Sequence, residues 1–324
     1  MQSKLVRALV VCAAVPAIGL LGYVVLQAAI SLSTSTAYTQ NFDGIGTSAT
    51  ATLPADFRVD RPGTVRTVGT FAGAGTATTQ AGGANVATGA TNGTYNFGSG
   101  TNATGPDRAV GFLSSGTATQ SGNLYAQLSN NTGGNLSGLE ISYDVEKYRR
   151  GLNAAGFRIQ MFYSTDGVSW TSAGSDFLTF FSADADNTGF SPAPGATVNI
   201  VNKTLTASIP NGSSFYLAWN YSVATGATTT NAQALAVDNI SILGLAAADS
   251  APSVTSTTPA TGTTNVDVSS NIVINFSESV TATGAFALEC PSGATQTFTQ
   301  SASPASSFTL TPSSALPFST TCTP

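Results

Sequence analysis

The sequence contains no histidine, which removes the usual general base, proton shuttle and transition-metal ligand near neutral pH. Triad hydrolases, zinc hydrolases and histidine-dependent nucleases are therefore excluded within these 324 residues. Charge is scarce as well. Asp, Glu, Lys and Arg make up 8% of the chain, against roughly 25% of an average soluble protein. Long solvent-exposed helices need those residues, so the mature chain is expected to be almost free of helix. The 11 Lys and Arg are outnumbered by 16 acids, for a net charge of −5. That balance argues against a polyanionic partner, and nucleic acid is excluded for this segment.

Cysteine is nearly absent, with three in the whole chain. Cys12 follows Val11 inside an apolar run, the wrong setting for a lipoprotein attachment site. The other two, Cys290 and Cys322, fall late in the sequence, and in an exported chain such a pair invites a disulfide. Closing that loop would stabilise by roughly 3.5 kcal/mol in the chain-entropy model; the competing reading is two free thiols. Export itself is read from residues 1–37. Lys4 and Arg7 precede an apolar run from Ala8 to Ile30, and a polar stretch ends in Ser35-Thr36-Ala37. This is the pattern of a signal helix with a small-x-small cleavage site. The run is also long enough to span a bilayer, so an uncleaved N-terminal membrane anchor is the alternative. Either way the chain is expected to be secreted or held at the cell surface.

What fills the sequence is Gly, Ala, Ser, Thr and Asn around short apolar segments. Leu139, Ile141, Tyr143 and Val145 share one face of an extended segment, while Glu140, Ser142, Asp144 and Glu146 share the other. The same period-two test selects Phe157, Ile159, Met161 and Tyr163, then Phe215, Leu217, Trp219 and Tyr221. Ser164-Thr165-Asp166-Gly167 reads as a tight turn with Gly167 at positive φ. The small-residue stretch from Gly69 to Gly105 is expected to form long loops and an edge strand. The fold class is thus all-β. A jelly-roll-like β-sandwich over residues 38–245 precedes a linker at 246–258 and a partial Ig-like β-sandwich at 259–324. From Ala251 onward the chain is shorter than the roughly 100 residues of an Ig-type sandwich, so that domain is expected to be incomplete and the chain a fragment of a larger protein.

The candidate chemistry is sparse. Glu140, Asp144 and Glu146 alternate like the acids of jelly-roll glycosidases, but Ser142 stands where a first carboxylate is needed, and Lys147, Arg149 and Arg150 follow. A solvent-facing, charge-compensated strand is the simpler reading. Calcium is the cofactor best matched to the chain, because carboxylates and backbone oxygens at sandwich termini suit a hard cation. Asp43 and Asp238 lie in the first and last expected strands, which antiparallel pairing would bring together. Asp184 and Asp186 form a second acidic loop, without the Gly and distal Glu of an EF-hand. Trp170 and Tyr216 are the aromatics best placed to stack on a glycan.

Two resemblances add to these readings. The run PATGTTNVDVSSNIVINFSESV, from Pro259 to Val280, resembles the opening of bacterial Ig-like domains of the S-layer (SbsA-like) type. The first domain resembles the sandwich module at the front of multidomain bacterial surface proteins and extracellular nucleases. NFDGIG at Asn41, TLPADF at Thr52, YNFGSG at Tyr95, DRAVGFLSSG at Asp107, LSNNTGGNLSGLEISYDVEKYRRG at Leu128 and LAVDNISI at Leu235 carry that likeness. Asp56-Phe57 replaces the more usual Gly-Trp, and Lys147-Tyr148 a common Gln-Trp. The second resemblance implies a jelly-roll-like module; the arrangement of sandwich, linker and partial Ig-like domain points to a non-catalytic structural or adhesive surface module, with a cell-surface component or glycan as an expected partner. The alternatives are a carbohydrate-binding module, or the non-catalytic front of an extracellular nuclease or hydrolase.

Overall fold

The structure, a computed structural model, describes residues 29–324. The expected signal helix lies outside the described residues. The chain divides into two units between Ala247 and Ala248.

The first unit is built from two seven-stranded sheets. In one, the strand Leu136–Arg149 runs between Ala196–Ile209 and Ala234–Ala246, antiparallel to both. Its alternation puts Leu139, Ile141, Tyr143 and Val145 into the core. In the other, Ser214–Val223 lies between Ser121–Ser129 and Phe157–Ser164. Phe215, Leu217, Trp219 and Tyr221 point inward with Phe157, Ile159 and Met161. The inward faces interlock: the Tyr143 ring meets Trp219 edge-on at 5.7 Å, and Phe112 stacks on Tyr221 at 5.8 Å. One continuous apolar core results, as the aligned packing of two half-buried sheets requires. Position 122 must be glycine, because the Phe112 ring from the facing sheet occupies the place a Cβ would take.

The second unit is a four-stranded antiparallel sheet, with Val254–Thr258, Ile272–Val280, Ala305–Pro312 and Phe298–Gln300 in that spatial order. Ile272, Ile274, Leu288, Cys290 and Leu310 form its core. A disulfide joins Cys290 to Cys322. Among the described residues no helix is long and apolar enough to cross a membrane.

Four expectations are corrected. Residues 30–32, placed in the export segment by a boundary at 37, belong to the sandwich: Ile30–Ser31 pairs in parallel with Leu128–Ser129, and Leu32 N donates to Ser129 O at 2.9 Å. The end of an apolar run reads the same whether it serves export or a core. The linker at 246–258 contains the first strand of the second unit, Val254–Thr258, whose Ser and Thr composition suits an exposed edge as well as a tether. The small-residue stretch before Gly105 does form loops and an edge strand, Gln80–Gly82, but it also includes Gly93–Gly98, buried at every position. Finally, the charged end of Leu136–Arg149 is not open to solvent on either face: Glu146, on the polar face, is 6% exposed, and Lys147 and Arg149, on the other, are 5% and 4% exposed. Tyr95, Phe97 and Tyr148 stack over that end of the sheet at 4.7 and 4.4 Å and seal it.

Because Ile30 and Leu32 are 2% and 4% exposed, Leu32→Ala is expected to destabilise the first unit by about 2–4 kcal/mol in urea denaturation. A midpoint unchanged from the parent would place residues 30–32 outside the cooperative fold.

Candidate metal centre

The strand Ala234–Ala246 has one edge paired along its length to Leu136–Arg149. Its other edge is shared by two short strands. Arg108–Leu113 covers Leu235 to Val237, and Tyr38–Gln40 covers Ile240 to Ile242. Asp238 and Asn239 lie at the seam between them. Asn239 takes φ 50° at a β-bulge, a left-handed conformation that Asn tolerates. Its Nδ2 donates to Asp144 Oδ2 at 3.0 Å.

Asp43 enters the seam from the short 3-10 turn Asp43–Ile45 that follows Tyr38–Gln40. It ties the two strands together: Oδ1 accepts from the backbone N of Arg108 at 2.8 Å, and Oδ2 from Asn41 Nδ2 at 2.6 Å. The Arg108 side chain, 1% exposed, feels the charges of Asp107 and Asp43 but makes no ion pair with either. Its Nε and Nη2 donate to Asn96 Oδ1 and O at 2.8 Å each, and its Nη1 to the carbonyls of Ala103 and Gly105. The guanidinium is spent on neutral oxygens.

Asp238 is left alone. It is 1% exposed, and neither carboxylate oxygen has a hydrogen-bond partner of full geometry, although the Asn239 N–H turns toward it and lowers its pKa somewhat. Burial, then the charges of Glu146, Asp107 and Asp43, push its carboxyl up to about 8. Glu146 is pushed up to about 7, mainly by burial, although Tyr148 Oη donates to it at 2.7 Å. A desolvated carboxylate surrounded by other carboxylates has two outcomes: it keeps its proton, or it binds a cation.

The donor set decides which cation fits. With no histidine, and the only described cysteines disulfide-bonded, zinc and other transition ions lack their preferred ligands. Among the described residues no three His, Cys, Asp or Glu side chains converge on a ready-made metal position. A cation at Asp238 therefore draws on backbone, amide and water oxygens too, which is the habit of calcium, with six to eight flexible oxygen ligands. Were such a cation bound, Asp238 and Asp43 would be the residues to hold it, with Asp107 and Glu146 adding charge.

The other expected sites have different roles. Asp184 accepts from Lys147 Nζ at 2.6 Å, from Gly151 N at 2.9 Å and from Gln233 Nε2 at 2.8 Å. It neutralises a buried lysine. Asp186, exposed, caps the N and Oγ1 of Thr188. The two do not form a calcium loop. Trp170 and Tyr216 are half-buried under the loop around Phe71: Trp170 Nε1 donates to Gly69 O at 2.7 Å, and the Tyr216 ring lies 5.2 Å from Phe71. Sequence reasoning misses Glu146 and Asp107 as neighbours of Asp238. Alternation says which face Glu146 takes but not that the face is covered, and Asp107 heads the segment DRAVGFLSSG, whose residues do not say which strand they pair with.

Residues 248–323 match the family described as bacterial Ig-like domain. No curated protein matches the chain. Among solved structures, the K1 and K3 cleaved adhesin domains of Lys-gingipain from Porphyromonas gingivalis W83 are each 12% identical. The match covers 64% of this chain and 98% of theirs, with TM-scores of 0.32 and 0.33. The CBM22-1–GH10 modules of endo-1,4-beta-D-xylanase 10B from Clostridium thermocellum are 12% identical over 52% of this chain and 27% of that one, at a TM-score of 0.25.

Without metal, Asp238 and Glu146 hold their protons in the folded state well above the ~3.9 and ~4.3 of unfolded carboxylates. The folded protein then binds more protons than the unfolded chain above about pH 4, so stability present in acid is lost as pH rises through about 7 and 8. In chelator, Tm is expected to fall between pH 5 and pH 8.5, and millimolar calcium to restore it at the higher pH. Asp238→Asn is expected to flatten the slope and abolish the calcium response. A calcium response that survives this substitution would place the ion elsewhere.

Proposed function

We propose that the chain is a non-catalytic module of the bacterial cell surface or extracellular space, a calcium-clamped sandwich followed by an Ig-like domain, serving adhesion or the presentation of further domains. The observation that supports it most is the buried, unpartnered Asp238 carboxylate at the seam of two short strands. Such a seam gains from a cation abundant outside cells, where modules bind calcium at about 10⁻⁴–10⁻³ M. The Cys290–Cys322 disulfide fits an oxidising compartment. The bacterial Ig-like match over residues 248–323 fits a surface protein. The depression bordered by Leu152, Asn153, Gly226 and Asn231 has no ionisable side chain in its lining, so it offers no acid or base to a substrate.

Fractionation of cells expressing the full chain tests this reading. The protein is expected in the medium, or on intact cells within reach of added protease, with Cys290 and Cys322 oxidised. The purified chain is expected to hydrolyse neither nucleic acid nor polysaccharide in calcium. Cytoplasmic retention with both thiols reduced, or calcium-dependent hydrolysis, would overturn it.

A further inference from the structure

A row of side chains crosses the outer face of the sheet that contains Ser214–Val223. Phe180 pairs directly with Arg158, Arg158 with Ser222, and Ser222 with Ser121. Their sequence neighbours Phe157, Ile159 and Tyr221 are buried in the core, so by alternation this row faces outward. Arg66, from the loop after the strand Phe57–Asp60, lies over the row. Its backbone N donates to Ser222 Oγ at 2.9 Å and its Nη1 to Val223 O at 3.2 Å. It takes φ 53°, an uncommon conformation for a long side chain, held by these contacts.

Two guanidiniums are thus brought to one face by residues 92 positions apart, 158 minus 66. Burial, then the charge of Arg66, lowers the pKa of Arg158. Among the described residues neither makes an ion pair within 4.0 Å; the ion pairs formed are Lys147–Asp184 and Lys203–Asp176. Arg158 Nε is buried without a hydrogen-bond partner. Beside it, Phe180 is 53% exposed and Leu178 36%. Like charges held together without an acid need an anion, and an exposed aromatic beside them offers an apolar face to whatever carries it. A sugar ring bearing a carboxylate matches both: its flat C–H face suits an aromatic, and its carboxylate suits the guanidinium fork.

We propose that this face binds an acidic polysaccharide, with a uronate carboxylate seated between Arg66 and Arg158 and the sugar ring lying on Phe180. The proposal names a partner for the surface module and rests on that reading only for where such a polymer is met.

Affinity electrophoresis of the full chain through gels containing polygalacturonate, heparin or neutral dextran tests it. Retardation by polygalacturonate is expected, with Arg158→Gln, Arg66→Gln and Phe180→Ala each weakening it by about tenfold or more, the loss of one charge-assisted contact or stacking face. Arg66→Lys, which keeps the charge and loses the fork, is expected to fall between. Lys203→Gln, which removes a surface cation elsewhere, is expected to change nothing. No retardation of the parent, equal retardation by dextran, stronger retardation by heparin, or indifference to the arginine substitutions would each overturn the proposal. The calcium response of Tm, measured on the same samples, shows whether each variant is folded. Its persistence without polygalacturonate binding would remove the glycan assignment and leave the surface-module reading standing.

Discussion

The first unit depends on how one strand edge is shared. Ala234–Ala246 is paired throughout on one side, and on the other Arg108–Leu113 and Tyr38–Gln40 meet end to end. A shared edge leaves a seam, and a seam inside a sandwich exposes backbone groups that must find partners. Asp43 supplies one by accepting from Arg108 N. Asp238 sits in the same place with nothing to accept. Burial and the neighbouring acids hold that carboxyl far above its ordinary range, and the side chains that cover Glu146 and Tyr148 add to the effect by excluding water.

The remainder of the unit holds this seam in place. The interlocked aromatics between the sheets fix the direction of Leu136–Arg149, and its inward residues fix its register. Once register is set, Asp144, Glu146 and Tyr148 must point to the opposite face. The Tyr95–Phe97–Tyr148 stack then buries part of an outward face and extends the core around it. With so few charged residues available, hydroxyls, amides and backbone carbonyls carry the polar bonding, as the bonds of Arg108 to Asn96, Ala103 and Gly105 illustrate.

The period-two segments are legible in the amino-acid sequence alone, because alternation is a local property: the inward faces of Leu136–Arg149, Phe157–Ser164 and Ser214–Val223 all read directly. Placing Asp43 and Asp238 near one another is also within reach, since terminal strands of a sandwich commonly pair. What alternation does not report is cover. Glu146 and Lys147 read as solvent-facing because nothing in residues 136–149 says that the Tyr95 and Phe97 side chains, from another strand of the same sheet, reach Tyr148 beside the one, or that Asp184 and Phe181 meet the other. Trp170 and Tyr216 read as exposed for the same reason, with Phe71 supplying the cover. The Arg66 and Arg158 pair is invisible in the sequence because its members are brought together by a loop crossing a sheet, and the net charge of −5 points away from any anion. Segment ends are least legible: Ile30 and Leu32 are apolar enough for either a signal or a core.

A crystal structure grown in calcium at about pH 8 addresses the buried carboxylate most directly. An ion is expected at the seam, with an Asp238 oxygen within about 2.3–2.6 Å, Asp43 beside it and the rest of its shell made of backbone and water oxygens. An Asp238 carboxyl with no ion against it, still protonated and packed among apolar neighbours in saturating calcium, would contradict the calcium clamp.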